Sequence, residues 1–562
     1  MRPADWIVLG ASLALVVAFG VFRSRRRDDL PGYLLAGRGA PWFLVAVSTM
    51  ATQASAITFL TTPGQAYAEG MRFVQFYFGL PLAMVLICAT VVPAFHRSRV
   101  FTAYEFLERR FDARTRTLTA GLFLLQRGLQ AGLTIYAPAL LISVLLGWDI
   151  RVTTFVTGGL AVVYTTTGGA AAVTRTQLVQ SLVILGGMAT AFVASLRLLP
   201  AGAGLSDAMA VAGVAGRMEA VRVSFEWSDK YNLWSGLIGG LFLQLSYFGT
   251  DQSQVQRYLT GSSVAQSRLG LLFNGLLKVP MQFAILLVGT LLFAVHHFVP
   301  SPVYFDPLAT KALESGPQAA EYRAIETEHR AAFEERRAAA ERFVEARGHA
   351  DETARDEART SLVRAQQRFE SSRARAAKLA GKTDTNYVFL RFVLDWLPAG
   401  VVGLVLAAVF AASMSSTSAE LCALATATTI DVYRRWMRPD ATDAQCVRVS
   451  RWLVVAWGAF AVVFAGFASG LGTLVEAVNK VGSLFYGSIL GIFVVAFLLR
   501  GVRGTAVCLA AIVAEVGVLA LAKTTDVSFL WFNAFGCLAV VALAIAFSAI
   551  APGRRERGAR GA

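Results

Sequence analysis

A polar stretch interrupts an apolar run near the N-terminus of the chain. Residues Met50–Gly64 read MATQASAITFLTTPG and lie within Pro41–Tyr67, a run long enough to cross a bilayer. Hydroxyl and amide groups are costly in hydrocarbon unless a partner satisfies them. The polar side chains of this stretch are Thr52, Gln53, Ser55, Thr58, Thr61 and Thr62. Their types indicate a binding site at membrane depth.

Three further groups of polar residues interrupt apolar segments that lie far apart in the sequence. One is LQLSYFGTDQSQVQRYL, which begins at Leu243 and carries Asp251. Another is LLFNGLLKVPMQF, where the ammonium of Lys278 precedes a proline. The last is AASMSSTSAEL, with five hydroxyl residues and Glu420. Charged groups inside membrane segments are usually functional, although pairing of Lys278 with Glu420 or Glu476 would be structural.

A hard monovalent cation suits such groups, because hydroxyl and carbonyl oxygens are its natural ligands. Carbonyls become available in a membrane span only where the helix is broken, and MATQASAITF is where we expect a break. Ser415 and Ser416 are adjacent, so their side chains lie about 100° apart on a helix, and a second helix must complete the shell. Taken singly, each Ser or Thr fits helix packing or a bond to its own backbone. The residues alone therefore indicate a transporter or a channel.

The elements that must position these groups are membrane helices. Of the 562 residues 55% are hydrophobic and only 16% are charged, with a mean hydropathy of +0.54; soluble domains carry about a quarter charged residues. The pattern predicts an all-α polytopic membrane protein with thirteen spans: Trp6–Phe22, Pro41–Tyr67, Phe73–Phe95, Leu118–Leu146, Val152–Thr167, Leu178–Leu196, Leu233–Gly249, Leu269–Val295, Leu397–Val432, Trp452–Phe467, Leu474–Leu499, Thr505–Leu521 and Phe529–Ile550.

The net charge of +15 follows this topology. With the N-terminus outside, thirteen spans place every large basic cluster on the cytoplasmic side, as the positive-inside rule requires. We therefore expect a multi-pass protein of the cell (inner) membrane with a cytoplasmic C-terminus, a lipid bilayer as its surroundings and no nucleic-acid partner. The clusters are Arg23–Arg27, Arg97–Arg116, Arg434–Arg451, Arg500–Arg503 and Arg554–Arg560.

No pattern typical of an enzyme occurs. The five cysteines are scattered without CxxC spacing, and the five histidines form no metal motif. A Gly-x-Ser-x-Gly elbow and a phosphate-binding Gly-rich loop are both missing from the sequence. We expect no catalytic residues.

The segment 315–385 differs from the rest of the chain. It is rich in Ala, Glu and Arg, with opposite charges three and four residues apart, which favours exposed helix. We expect Gly348 to divide it into two helices, each about 45 Å long. The topology places it outside the cytoplasm. A solvated helical hairpin is the simpler interpretation, and an arm that binds an unknown partner is the alternative.

Several motifs, in order, resemble those of the sodium:solute symporters. They are LLAGRGAPWF, MATQASAITF, FTAYEFLERRF, YTTTGGAAAV, YFGTDQSQVQRYL, LLKVP and ASMSSTSAELCALATATTIDVYRR, spread between Gly32 and Arg500. The resemblance implies a LeuT-type core of five-plus-five inverted repeats with broken helices. The expected organisation is an extra helix and basic loop (1–40), the first repeat and the start of the second (41–300), the helical insertion (301–390), the rest of the core (391–500) and extra helices with a basic tail (501–562).

The resemblance also implies the binding residues. In the family a sodium ion joins carbonyls of the first core helix to a carbonyl and two hydroxyls of the eighth. The matching positions are Ala51, Ala54, Ala412, Ser415 and Ser416. For the solute, the matching positions are Gln53, Thr58, Gln75, Tyr77, Gln244, Tyr247, Lys278 and Asn479. Tyr247 matches an aromatic that closes over the solute, and Lys278 matches a lysine that hydrogen-bonds sugars.

The chain departs from the family pattern at two places. Gln177 stands where many relatives have an aspartate that assists sodium passage and a second sodium site, so one Na⁺ is expected and a second is not. Gln130 stands where carriers of acidic sugars have an arginine, and Arg127 lies three residues earlier, on nearly the same helix face. Arg127 fits either an anion or a pairing within the bundle.

The expected function is secondary active transport: sodium-coupled symport of a small organic solute, sugar-like or carboxylate, by alternating access. Proton-coupled or uncoupled transport is an alternative, supported by Gln177. A solute sensor is a further alternative, with the hairpin as its output.

Overall fold

A computed structural model describes residues 2–23, 30–349, 351–467 and 472–550 of the chain. Side chains at 13, 16–23, 31, 36, 167–176 and 178–180 are not described. Most of the basic cluster Arg23–Arg27 and the whole of Arg554–Arg560 lie outside the described residues. The described chain is helical, joined by short connections, and we number its α-helices in chain order.

The first ten helices precede a long irregular connection. Two 3₁₀ turns, Ala36–Arg38 and Met71–Tyr77, lie among them. The helices are α1 (Pro3–Arg23), α2 (Leu30–Leu35), α3 (Trp42–Gln53), α4 (Ala56–Glu69), α5 (Leu80–Ala89), α6 (Val91–Ser98), α7 (Ala103–Arg110), α8 (Ala113–Leu146), α9 (Ile150–Arg197) and α10 (Leu205–Val214).

Twelve more helices follow. They include two π-helical segments, Ser235–Gly239 and Thr428–Met437, and the 3₁₀ turn Thr385–Tyr387. The helices are α11 (Gly240–Gly249), α12 (Gln252–Tyr258), α13 (Val264–Val295), α14 (Pro307–Ser315), α15 (Ala319–Gly348), α16 (Glu352–Ala380), α17 (Val388–Trp396), α18 (Val401–Ala427), α19 (Asp443–Ala465), α20 (Leu474–Leu498), α21 (Gly504–Thr524) and α22 (Phe529–Ile550).

Eight helices of the described chain are long and apolar enough to cross a membrane, or nine if a bent pair counts as one span. This confirms a polytopic, all-helical protein. Two spans predicted separately, Val152–Thr167 and Leu178–Leu196, lie within the single helical element α9. The total of thirteen spans stays a prediction.

The bent pair is α3 and α4, which meet at 56°. The helix ends at Gln53, and Ala54 and Ser55 have non-helical backbone angles before α4 begins. The structure confirms a break within MATQASAITF. Because the last four carbonyls of a helix lack intrahelical partners, the break presents backbone oxygens at the middle of the bundle.

A second break, which the sequence did not predict, separates α11 from α12. Thr250 leaves helical geometry, and the carboxylate of Asp251 accepts a hydrogen bond from Ser253 N at 2.9 Å to cap α12. Asp251 therefore has a backbone role in addition to the ion pair described below. Cap residues of this kind stabilise a helix start by about 1 kcal/mol.

Close packing holds the broken helix α4 against α13. A Cβ atom added at Gly289 would lie only 2.0 Å from the carbonyl oxygen of Pro63, so the two backbones touch directly. Pro63 lies inside α4, where its ring locally weakens the helix. The helix α18 packs against α1, α8 and α9, and nearly all its residues are buried.

The insertion forms the expected two helices, α15 and α16, with Gly348 as the last residue of α15. The hairpin is not solvated on all sides, however. Its inner face packs on α10 and on the end of α13, where Phe343 and Leu362 form a cluster with Val211 and Phe298. The alternating charges gave a correct helix prediction but concealed this narrow apolar face, in which a few large side chains are interspersed with alanines.

Candidate functional site

A cavity of about 80 Å³ lies in the middle of the helix bundle. Its wall comes from the break between α3 and α4, from the turn before α5, and from α8, α11, α18 and α20. Six predicted solute residues line it: Gln53, Thr58, Tyr77, Gln244, Tyr247 and Asn479. The structure thus brings together side chains that are up to 426 positions apart (479 − 53).

Two predicted solute residues do not line this cavity. Gln75 is fully buried, donates to the carbonyl of Tyr231 at 2.7 Å and accepts from Arg222 N at 3.1 Å, so it fastens the connection before α11. Lys278 is also fully buried, and its Nζ makes no hydrogen bond within the described chain. This Nζ lies 5.2 Å from the centroid of the Tyr77 ring.

Arg127 extends into the wall of the cavity, where two carboxylates hold it. Its guanidinium forms an ion pair with Asp251 and another with Glu420, with 3.1 Å between Nη1 and Oε1 of Glu420. It also donates to the hydroxyl of Tyr486 at 2.9 Å, which in turn donates to Asp251 at 3.3 Å. This network ties α8 to α18, α20 and the break between α11 and α12. Of the two interpretations of Arg127, the geometry favours pairing within the bundle.

Two amides in the wall retain free hydrogen-bonding groups. Neither polar atom of Gln244 has a protein partner in the described chain, and Oε1 of Gln53 has none. Buried amides without partners are costly, typically by 1–3 kcal/mol each. Tyr247 is in contrast oriented, because its hydroxyl accepts from Gln254 at 2.6 Å and its ring lies 5.5 Å from the guanidinium of Arg127. The free amides are the groups that a polar solute would satisfy.

A second, smaller cavity lies on the other side of the broken helix. Four of the five predicted ion residues line it, namely Ala51, Ala54, Ala412 and Ser415, together with Ser181 of α9. The hydroxyl of Ser415 is buried and makes no hydrogen bond in the described chain. A backbone break facing an unpaired hydroxyl is a suitable donor set for a small hard cation.

Two polar side chains near this cavity already make hydrogen bonds within the protein. Ser416, the fifth predicted ion residue, does not line the cavity, and its hydroxyl donates to the carbonyl of Ala412 at 3.0 Å. Gln177 donates from Nε2 to the hydroxyl of Thr52 at 3.4 Å. Gln177 therefore places a neutral amide against the broken helix.

The two cavities share the break in α3 and α4. Thr52 and Gln53 face the larger cavity, and their neighbours Ala51 and Ala54 face the smaller one. No cluster of His, Cys, Asp and Glu able to hold a multivalent metal occurs among the residues that the structure describes. A ligand in either cavity would therefore contact the same short stretch of backbone at the helix break.

A family model settles the classification. The model of the sodium:solute symporter family matches residues 33–321 and 370–522. The chain belongs to this family. It is therefore a transporter, a sodium-coupled symporter of small solutes, and not an enzyme.

Curated symporters align along most of the chain. The sodium/sialic acid symporter NanT of Aliivibrio fischeri is 24% identical over 540 residues, which cover 96% of this chain and 91% of that protein. The sodium/glucose cotransporter of Vibrio parahaemolyticus is 26% identical over 505 residues, covering 87% and 79%. A solved structure of a Na⁺-coupled sialic acid symporter in a substrate-bound, outward-open state superposes with a TM-score of 0.75 at 21% identity and covers 98% of both chains. That likeness shows the fold.

Sequence reasoning missed two polar cavity residues of this symporter. Tyr486 of α20 and Thr134 of α8 line the larger cavity, and neither was among the predicted residues. Tyr486 lies in SLFYGSILG, where a phenol stands among small residues in a membrane helix. A buried tyrosine hydroxyl needs a partner, so this position carried a signal that could have been used.

Proposed function

We propose that this symporter carries a neutral, hydroxyl-rich, sugar-like solute together with one sodium ion. The observation that carries the proposal is the charge balance at the larger cavity. Arg127 and Glu420 are the charged residues of its wall, and they pair with each other. Behind the wall, Asp251 also pairs with Arg127, and the Lys278 ammonium lies behind the Tyr77 ring, so the formal charges of the four groups cancel. A neutral solute leaves this balance undisturbed.

A carboxylate solute fits less well. Arg127 is the cation in the cavity wall, and it is already paired with two protein carboxylates. A third carboxylate would have to displace one of them and leave it buried without a partner, which costs about 3–5 kcal/mol for a buried pair. Relatives named for glucose and for sialic acid show that both solute types occur among similar proteins.

The residues proposed to bind the solute are the six members of the predicted set that line the cavity. Gln244 supplies both polar atoms of its amide and Gln53 supplies its Oε1, none of which has a partner in the described chain. Thr58 and Tyr77 complete the wall beside the broken helix. Tyr247 closes over the solute. Asn479 offers its Oδ1, since its Nδ2 already donates to Val475 O at 2.7 Å. Lys278 contributes its charge from behind the Tyr77 ring, without lining the cavity. Gln75 contributes only by fixing the backbone of the turn in which it lies.

The sodium ion is proposed to bind at the smaller cavity through backbone oxygens of Ala51, Ala54 and Ala412 and the hydroxyls of Ser415 and Ser416. Ser416 reaches the ion if its hydroxyl turns away from the Ala412 carbonyl. We propose a single ion site, because Gln177 supplies no charge for a second. One Na⁺ with a neutral solute moves one net charge, so a membrane potential contributes about 2.3 kcal/mol per 100 mV.

Coupling follows from the shared break. An ion that binds Ala51 and Ala54 fixes the backbone on either side of Gln53, and this fixes the solute-facing amide. By linkage the solute must raise sodium affinity by the same factor. This ordering is the physical basis proposed for symport.

The decisive experiment measures uptake into proteoliposomes for neutral hexoses and N-acylated amino sugars against monocarboxylates and sialic acid. Each solute is tested with an inward gradient of sodium or of choline. We expect sodium-dependent, electrogenic uptake of a neutral sugar. Sodium-dependent uptake of carboxylates alone would overturn the solute class, and uptake indifferent to sodium would overturn the ion site.

Two variants with matched controls separate the sites. Ser415→Ala removes one ligand of a charged ion and should raise the half-saturating sodium concentration about tenfold or more. Ser413→Ala, on the same helix, should not, because that hydroxyl donates to Thr134 O. Gln244→Leu should weaken solute affinity about two- to tenfold. Gln282→Leu, also buried but outside the cavity wall, should leave it unchanged.

We also propose the predicted orientation in the inner membrane, with the N-terminus and the hairpin outside and the C-terminus in the cytoplasm. The positive-inside distribution supports it. The native cysteines are buried or half-buried, so Arg330→Cys on the exposed face of α15 gives a selective label site. Labelling of intact cells by an impermeant maleimide is expected, and labelling only after lysis would reverse the topology.

A further inference from the structure

The hairpin of α15 and α16 is the region that sets this chain apart from its family. Most of it, residues 322–369, falls between the two segments that the family model matches. Ion pairs fasten it to the core: Arg347 to Asp207 at 2.7 Å and Arg217 to Glu370 at 3.0 Å. Nothing in the symport mechanism uses it.

A cavity of about 330 Å³ lies between this hairpin and the core helices. From the hairpin its wall includes Arg336 and Phe369, and from the core it includes Tyr67 at the end of α4 and Phe293 near the end of α13. The aromatic rings make an apolar pocket around charged groups. It is separate from the two cavities in the membrane bundle, with which it shares no residue.

Arg336 is the unusual group in this cavity. Its side chain is only 1% exposed, and no described carboxylate lies within ion-pair distance of it. Its guanidinium stacks on Phe369 with 3.2 Å between Cζ and the ring centroid, and it donates to His296 O and to Gln366. Its Nε is buried and has no hydrogen-bond partner in the described chain. Buried charges are normally paired.

The other charges in the wall do not compensate Arg336. Arg373 is paired with Asp384 at 2.8 Å, and Arg217 is paired with Glu370. Three arginines against two carboxylates leave one positive charge in the cavity. Burial lowers the pKa of Arg336 to about 9, so the guanidinium is still charged at neutral pH but poorly stabilised.

We propose that this cavity binds a small organic carboxylate with an apolar or aromatic body. The carboxylate accepts hydrogen bonds from Arg336, including its unpartnered Nε, and the body packs on Tyr67 and Phe293. Guanidinium and carboxylate groups match in geometry and charge, which is why arginine is the usual residue for such pairs. The ligand supplies the negative charge that the protein omits.

Such a ligand would connect the hairpin to the broken helix. Tyr67 lies two residues before the end of α4, whose other end begins at the break that both transport cavities share. A ligand that prefers one position of α4 shifts the equilibrium between transport states by its difference in affinity for them. The site would therefore regulate transport, and it does not depend on which solute is carried.

The test uses the full-length protein in nanodiscs at constant sodium. Calorimetric titration compares benzoate with neutral benzamide and with inorganic phosphate. We expect saturable binding of benzoate and at least about tenfold weaker binding of the other two, because one lacks the charge and the other lacks the apolar body. Absence of benzoate binding, or equal binding of benzamide or phosphate, would overturn the proposal.

Variants assign the binding to this cavity. Arg336→Gln should weaken benzoate binding about tenfold or more. Arg337→Gln, its exposed neighbour paired with Glu341, should not change it. Glu370→Gln removes a negative charge from the wall and should strengthen binding, which keeps the test valid if Arg336→Gln does not fold. Loss of benzoate binding in Gln244→Leu would instead place the ligand in the transport cavity and overturn the proposal.

Discussion

Two buried arginines of this symporter have opposite surroundings. Arg127, in the transport core, is 2% exposed and paired with two carboxylates and a tyrosine hydroxyl. Arg336, under the hairpin, is 1% exposed and has a carbonyl, an amide and an aromatic ring as its neighbours. Burial is the same, but the compensation of charge is not.

The contrast separates two uses of a buried cation. The charge of Arg127 is compensated by carboxylates of the protein, and the pairs hold helices together. Arg336 has no such partner, and its counterion is proposed to come from a bound ligand. Burial alone therefore does not identify a binding residue. The discriminating feature is whether the protein itself completes the charge balance.

The largest effect is expected from Asp251→Asn. The substitution leaves Arg127 with a single carboxylate at membrane depth and should lower the free energy of unfolding by about 3–5 kcal/mol. Thermal unfolding of the purified protein measures it. Glu341→Gln, which breaks an exposed pair on the hairpin, should cost less than about 0.5 kcal/mol. Equal losses in the two variants would contradict the conclusion that Arg127 holds helices together through its ion pairs.

An intermediate effect is expected from acidification of the hairpin. Burial, with Arg373 and Arg336 nearby, lowers the pKa of His329 from 6.5 to about 4. The folded hairpin prefers the neutral ring, so its stabilisation is complete above pH 6.5 and is lost as the pH falls toward 4. The loss is on the order of 3 kcal/mol.

Hydrogen exchange of α15 and α16 between pH 7 and pH 4, corrected for the intrinsic rate, measures this loss of protection. His329→Gln should flatten the profile, because glutamine does not titrate over this range. A profile unchanged by that substitution would assign the pH dependence to other groups, such as His296.

The smallest effect is expected from Arg336→Gln in the absence of carboxylates. Removing an uncompensated buried charge relieves its desolvation, and this offsets the lost stacking on Phe369, so unfolding should change by no more than about 1 kcal/mol. Thermal unfolding in carboxylate-free buffer measures it. Destabilisation as large as that of Asp251→Asn would remove the contrast between the two arginines.

Much of the core could be predicted from sequence because its signals are local. The break in MATQASAITF, the two hairpin helices and the position of Gly348 follow from residue types within one segment. The break at Thr250 was missed because Asp251 was interpreted only as a polar group. The docking of the hairpin and the two partners of Arg127 depend on residues more than a hundred positions apart, which no local pattern encodes.

The neck of the hairpin is closed by its own contacts. Tyr304 donates to Lys382 O at 2.9 Å, Phe305 N donates to Asp384 at 2.7 Å, and Lys382 pairs with Asp306 at 2.7 Å. The two ends of this segment of more than seventy residues are thus adjacent, so it connects to the core in the same way as a short turn would. A segment attached in this way leaves the path of the membrane helices unaffected by its own length, because it starts and ends at neighbouring points.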